Sequence, residues 1–186
     1  MYLAIVSVLG VLIFRNRSDI LNQVQIATNF WSSIATITLY DSIFQEKARK
    51  YGLDWKMLKA ISMIESWIGT YKGVVDTEEE RKNAPDKADS SDNLSAGLMQ
   101  ITLITARDYD NLATFKKLQD PKYSVEIAAQ YLKFLFRIAP QNSRQIEFVV
   151  KSYNQGQGNT IKEFKGLNAG YANTYWARYQ EARKSL

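Results

Sequence analysis

The chain has 186 residues, 46% of them hydrophobic and 12% aromatic, enough for one ordinary domain with an appendage. It contains neither histidine nor cysteine, which excludes a Ser-His-Asp triad, a Cys-His nucleophile, an imidazole or thiolate zinc site and a c-type haem; any chemistry falls to Asp, Glu, Lys, Tyr, Ser or backbone groups. The net charge of +5 is uneven: residues 73–94 hold seven acids against three bases, so the rest is a basic body that attracts polyanions such as nucleic acid or an anionic cell-wall polymer. No Arg-rich helix or paired aromatic sheet motif favours nucleic acid, and none is expected as a partner. The lack of cysteine leaves cytosol, periplasm and virion equally open.

In chain order, Tyr2 to Phe14 is an uncharged apolar run followed at once by Arg15 and Arg17. Thirteen helical residues reach roughly 20 Å, short of a hydrocarbon core of about 30 Å. The basic residues sit on the wrong side for a signal peptide and no small-x-small cleavage site follows, so residues 1–17 read as a membrane anchor or uncleaved signal-like segment, with a secretion signal as the alternative. Residues 18–41 are expected to form an amphipathic helix or linker. Ile20, Val24, Ala27, Trp31 and Ile34 recur at 3–4 spacing among Asn, Gln, Ser and Thr, a pattern for a membrane surface or a partner. Were both segments to cross, they would form a hairpin with Arg15 and Arg17 inside and the following domain outside.

The globular domain is expected over 42–186. Ser42 to Lys50 reads as a helix closed by Gly52, and Asp54 caps the next one, Trp55 to Trp67. On that helix Met57, Leu58, Ile61, Ile64 and Ile68 share one apolar arc, and Glu65 lies inside it. Two readings stay open from this pattern: an edge-of-face glutamate that bends to water, or a desolvated carboxyl whose raised pKa suits general acid catalysis. Residues 73–94 are expected to form a long acidic loop broken by Pro85, and Leu98 to Tyr109 is predicted helical. Asp120 and Pro121 open an apolar helix that Pro140 stops. Ser143 to Tyr153 makes another, a glycine-rich turn spans 155–158, and a last helix runs from about Ala169 with Tyr171, Tyr175 and Tyr179 on one face. No alternating strand pattern of useful length and no internal repeat occurs.

Four stretches, in order, resemble the soluble lytic transglycosylase (SLT) family. Tyr51-Gly-Leu-Asp-Trp55 with Ala60-Ile-Ser-Met-Ile-Glu65-Ser66 resembles its helix with a Glu-Ser pair, and Ser95-Ala-Gly-Leu-Met-Gln-Ile101 its Gly-Leu-Met-Gln signature. Asp120-Pro121 with Ser124-Val125, Ala128 and Tyr131-Leu132 is similar to its third motif, and Ser152-Tyr-Asn-Gln-Gly-Gln-Gly158 to its Ala-Tyr-Asn-x-Gly-x-Gly turn. The resemblance covers roughly 42–180. It implies a mainly α, goose-type lysozyme-like helical domain carrying an N-terminal hydrophobic helical extension.

The same resemblance implies a peptidoglycan lytic transglycosylase with no cofactor or metal. Glu65 would act as acid and then base on the MurNAc-GlcNAc β-1,4 linkage, giving a 1,6-anhydro product. Tyr153 would hydrogen-bond near Glu65, Gln100 and Met99 would line the cleft, Asn154 and Tyr175 would shape the groove, and Ser66 and Ser95 would offer substrate-side hydroxyls. Plainer readings stand beside these: Met99 as a core filler, the tyrosine ladder as ordinary packing, and Gly156 and Gly158 as positive-φ turn residues.

Three departures from the family pattern are visible. Tyr171-Ala172 stands where the family's closing helix carries Glu-Thr, which removes an acidic substrate contact. Ser124, Val125 and Ala128 replace Asn, Ile and Gly, which are packing changes. The acidic insert between Glu65 and Ser95 offers Asp76, Asp89 or Asp92 as a second carboxylate. A general base about 6.5–9.5 Å from the acid would make the protein a water-using muramidase. The remaining alternative is a structural or glycan-binding component of a virion or envelope-spanning assembly, such as a bacteriophage or secretion system, with residues 1–40 contacting membrane or partner subunits. On any of these readings the protein belongs at the bacterial cell envelope, with its domain toward the periplasm or wall, or on a virion.

Overall fold

The computed structural model describes residues 25–26, 29–68, 95–167 and 170–186. Helix α1 (Asp41–Tyr51) starts on an acidic residue and ends with Arg49 and Lys50 in its last turn, complementing the helix dipole. Gly52 closes it in the left-handed region at φ 70°, its N–H returning to the Ala48 carbonyl. The Asp54 carboxylate then accepts from the Lys56 N–H at 2.9 Å and opens α2 (Trp55–Ser66).

Helix α2 is the axis of the domain. Met57, Leu58, Ala60, Ile61 and Met63 are almost wholly buried, each large side chain contributing about 1.5–3 kcal/mol. Lys59 is buried with them, and its ammonium pairs with Asp41 of α1 at 2.8 Å. The helix stops without a glycine. Trp67 and Ile68 adopt φ of 48° and 55°, and the Ile68 N–H reaches back to the Ser62 carbonyl. Two successive left-handed residues cost roughly 1–2 kcal/mol each. Burial of Ile68 and the edge-on contact of Phe30 with Trp67, 5.3 Å between ring centres, offset part of that cost.

Downstream, β1 (Ser95–Ala96) pairs antiparallel with β2 (Ile101–Thr102), Ser95 opposite Thr102 and Ala96 opposite Ile101. Short helices α3 (Leu103–Arg107) and α4 (Phe115–Leu118) follow, each opened by a threonine cap. Asp120 and Pro121 begin α5 (Pro121–Ile138), with the Tyr123 N–H donating to the Asp120 carboxylate at 2.8 Å, and it ends just before Pro140. Then come α6 (Gln145–Gln155), α7 (Gln157–Phe164) and α8 (Asn173–Lys184). Helix α2 packs against α1 and α8, while α5 packs against α1 and α6. On α5, Glu126 accepts from Tyr51 and pairs with Lys47 at 2.9 Å; burial opposes its ionisation, yet these partners and Lys50 hold the carboxyl at about 2.

The described residues are mainly α-helical, as expected, with one small sheet that sequence periodicity did not signal. The helix expected over Leu98 to Tyr109 is instead a turn, β2 and α3. The turn expected over 155–158 breaks the chain only at Gly156, because α7 restarts at Gln157. The last helix begins at Asn173, leaving Tyr171 in the preceding loop at 77% exposure. The anchor-like segment 1–17 lies outside the described residues. Within 18–41, residues 29–35 are helical, and Trp31 and Ile34 of the expected amphipathic stripe are buried against this domain's own core. Among the described residues no helix is long and apolar enough to cross a membrane.

Candidate functional site

Glu65 occupies the last turn of α2, where the apolar arc meets an open cleft of about 430 Å³. The desolvation of its carboxyl raises the pKa to about 7, against which a hydrogen bond from Tyr175 works in the opposite direction. Tyr175 Oη donates to Glu65 Oε1 at 2.6 Å. Burial, reinforced by the carboxylate nearby, pushes the phenols of Tyr175 and Tyr153 well above their usual value, so both stay protonated donors.

The wall opposite Glu65 is the hairpin from Ser95 to Thr102, and side chains from three helices fix its backbone. Ser66 Oγ donates to the Leu98 carbonyl at 2.7 Å, with Ser62 Oγ at 3.3 Å on the same oxygen. The Met99 N–H donates to Ser124 Oγ at 3.1 Å, and Tyr153 Oη donates to the Met99 carbonyl at 2.8 Å. Gly97, at φ 78°, passes so close to α4 that a Cβ there would lie 1.8 Å from the Leu118 carbonyl oxygen. Gln100 is held at φ 46°, its amide donating to the Gly97 carbonyl at 2.9 Å and accepting from Ser95 Oγ at 3.0 Å. The signature residues thus shape a backbone that presents Gln100 and Ser95 to the cleft.

Of the residues singled out from sequence, Glu65, Ser95, Gln100, Tyr153 and Asn154 line this cleft together. Ser66, Met99 and Tyr175 are not part of its lining. Ser66 is 1% exposed with its hydroxyl turned to Leu98, and Met99 is fully buried, so the expectation of a substrate-side Ser66 gives way to a structural one and Met99 is core filler. The two tyrosines differ from expectation as well: Tyr175, placed in the groove by resemblance, makes the hydrogen bond to Glu65, whereas Tyr153 holds Met99.

Sequence reasoning passed over Ile101, Thr102, Thr105, Tyr131, Gln155 and Gly156, which complete the lining. Thr102 and Thr105 directly follow the Gly-Leu-Met-Gln stretch, and their hydroxyls bond each other at 2.9 Å. Tyr131 stood within a quoted motif; it stacks obliquely on Tyr153, ring centres 5.7 Å apart, and donates to the Ser152 carbonyl. Asp76, Asp89 and Asp92 lie outside the described residues. Glu65 is therefore the one charged side chain among the described residues lining the cleft, surrounded by neutral hydroxyls and amides suited to sugar hydroxyl and N-acetyl groups. No group of three metal-ligating side chains occurs among the described residues.

In a comparison with known families, the model of the transglycosylase SLT domain matches residues 42–175, from the first residues of α1 to the tyrosine that meets Glu65. No curated protein matches the chain significantly.

Proposed function

The chain belongs to the transglycosylase SLT domain family, whose members are peptidoglycan lytic transglycosylases, and we propose that it cleaves the MurNAc-GlcNAc β-1,4 linkage by internal cyclisation, with Glu65 as the acid and base. The observation that carries this reading is the solitary Glu65 carboxyl, poised at about 7 in an otherwise neutral described cleft. At neutral pH a large fraction is protonated and able to give its proton to the glycosidic oxygen as the bond to C1 breaks. The N-acetyl group of the substrate assists that departure. Glu65, now ionised, takes the proton of the C6 hydroxyl, and that oxygen closes on C1. Glu65 ends protonated as it began, and no water enters the product.

Tyr175 orients the carboxyl in both protonation states, because the phenol donates to its oxygen throughout. In this reading Ser95, Gln100 and Asn154, which line the cleft with Thr102 and Thr105, hold the sugars. Hydrolysis would require a second carboxylate, which in this chain would come from Asp76, Asp89 or Asp92. Digestion of purified peptidoglycan followed by mass analysis of the muropeptides tests the proposal. Anhydro ends, lighter by one water, are expected; reducing ends would establish a muramidase, and no release a glycan-binding or structural role. Glu65→Gln is expected to lower the rate by at least about 100-fold with the fold intact.

With such a substrate, we propose that the domain works on the wall side of the envelope or on a virion. We propose that residues 1–17 tether it to membrane, with 18–41 as the connection, and that it opens the wall locally for an assembly such as a phage or a secretion machine. Reporter fusions after Phe14 and after Phe44 are expected to read opposite sides of the membrane if the pair forms a hairpin; the same side for both would rule the hairpin out.

A further inference from the structure

Helix α8 carries Tyr175 to Glu65, yet its N-cap residue, Ala172, offers no capping side chain. What fixes its start comes from α6 and α7. The buried Ala172 N–H donates to Gln155 Oε1 at 3.1 Å, and Gln155 Nε2 donates to Glu163 Oε2 at 2.7 Å. Glu163 Oε1 in turn receives the ammonium of Lys151 at 2.5 Å. The Lys151 side chain is only 3% exposed, and Nζ also donates to Asn173 Oδ1 at 2.6 Å and pairs with Glu147 Oε1 at 2.9 Å. An ammonium has three N–H donors. Here they go to three oxygens on α6, α7 and the first residue of α8. Gly170 shows how closely the incoming loop is held: a Cβ there would lie 2.3 Å from Glu163 Oε1.

We propose that Lys151 is a positioning residue for catalysis, clamping Glu163 and Asn173 so that α8 begins where the Tyr175 hydroxyl meets Glu65. Lys151 does not line the cleft and touches no reacting atom. Desolvating a lysine and two carboxylates is costly, and apolar side chains would join three helices at least as firmly. What the charges add is direction, since a salt-bridged network admits one arrangement of its oxygens where an apolar contact tolerates sliding. Although burial acts against the Lys151 charge, Glu163 and Glu147 outweigh it and its pKa lies above the ordinary value. The Lys151 ammonium therefore keeps its charge through the working range. Arg144 steadies it from outside, its Nε 2.8 Å from Glu147 Oε2.

The inference rests on Glu65 being the working acid, but its test does not require activity. Among the described residues Tyr175 is the ionisable group whose hydrogen bond shifts Glu65, while the phenol of Tyr153 feels the Glu65 charge, so the midpoint of the Glu65 carboxyl, followed by carbon NMR, reports whether Tyr175 is in place. Tyr175→Phe sets the reference, an upward movement of roughly half to one pH unit. Asn173→Leu removes the link from Lys151 to α8 and is expected to move the midpoint by a similar amount, with no further movement in the double variant. Asn173→Asp, which keeps the acceptor oxygen, is expected to stay near wild type. Glu163→Gln, which weakens the clamp while preserving its shape, gives a smaller shift in the same direction and serves if Asn173→Leu does not fold. An unchanged midpoint in Asn173→Leu, or in Glu163→Gln where that variant stands in, overturns the proposal, even if thermal stability falls. Wild-type protein that releases no muropeptide would overturn the transglycosylase reading and leave the titration to decide the clamp.

Discussion

Tyr175 Oη reaches Glu65 Oε1 at 2.6 Å across 110 residues of chain, joining the last helix to the central one at the carboxyl. This hydrogen bond favours the ionised form, whereas burial favours the neutral one. Tyr175→Phe removes only the first effect. The alkaline limb of the pH–rate profile is then expected to move upward from about 7. At neutral pH kcat is expected to drop roughly 10-fold, with KM little changed, through loss of a charge-assisted hydrogen bond. Steady-state rates from pH 5 to 9 check this; an unmoved limb would show that Tyr175 does not govern the carboxyl.

Glu65 also makes stability depend on pH in a definite direction. Its folded pKa of about 7 lies above the ordinary 4.5, so the native state binds the proton more tightly than the unfolded chain. Its contribution is fully present below about 4.5 and is lost as pH rises through 7. Glu65→Gln resembles the protonated form and lacks that loss. The variant is expected to match wild type near pH 4 and to exceed it by about 2–3 kcal/mol at pH 8, as measured by urea unfolding.

Ser66 and Ser95 were both candidates for touching substrate, and their surroundings now separate them. Ser66→Ala leaves the Leu98 carbonyl, among the described residues, with the longer bond from Ser62, so stability is expected to fall by about 1–2 kcal/mol. Ser95→Ala is expected to raise KM while stability changes by less than about 1 kcal/mol. Thermal unfolding and glycan-cleavage kinetics on the two variants distinguish the roles.

Ser152 is fully buried, and its Oγ has no hydrogen-bond partner among the described residues. A desolvated hydroxyl without a partner is a net cost. Ser152→Ala is expected to stabilise the protein by about 0.5–1 kcal/mol with unchanged cleavage, read from chemical denaturation midpoints.

The sequence made the helices legible where the signals are local. Asp54, Asp120 with Pro121, and Gly52 mark ends that the structure reproduces, because a cap needs only its own next turn. The wall from Ser95 to Thr102 escaped for the opposite reason. Its strands are two residues long, too short to alternate, and its shape is imposed by Ser66, Ser124 and Tyr153 from distant helices. Helix α7 was hidden by Gly156 and Gly158, although only Gly156 takes a positive φ. Which tyrosine meets Glu65 was not readable either. Tyr153 and Tyr175 both project from helices, and the choice is made by α8 packing on α2.

The separation of Glu65 from Tyr175 sets an order of events during synthesis. At about 5–20 residues per second, the carboxyl leaves the ribosome roughly 5–20 s before the phenol that aims it. A chain interrupted anywhere between them holds the acid without its partner. On the proposed reading, the acid is aimed only by one of the last contacts the matched domain makes, so a shortened chain would carry its carboxyl without the phenol that orients it.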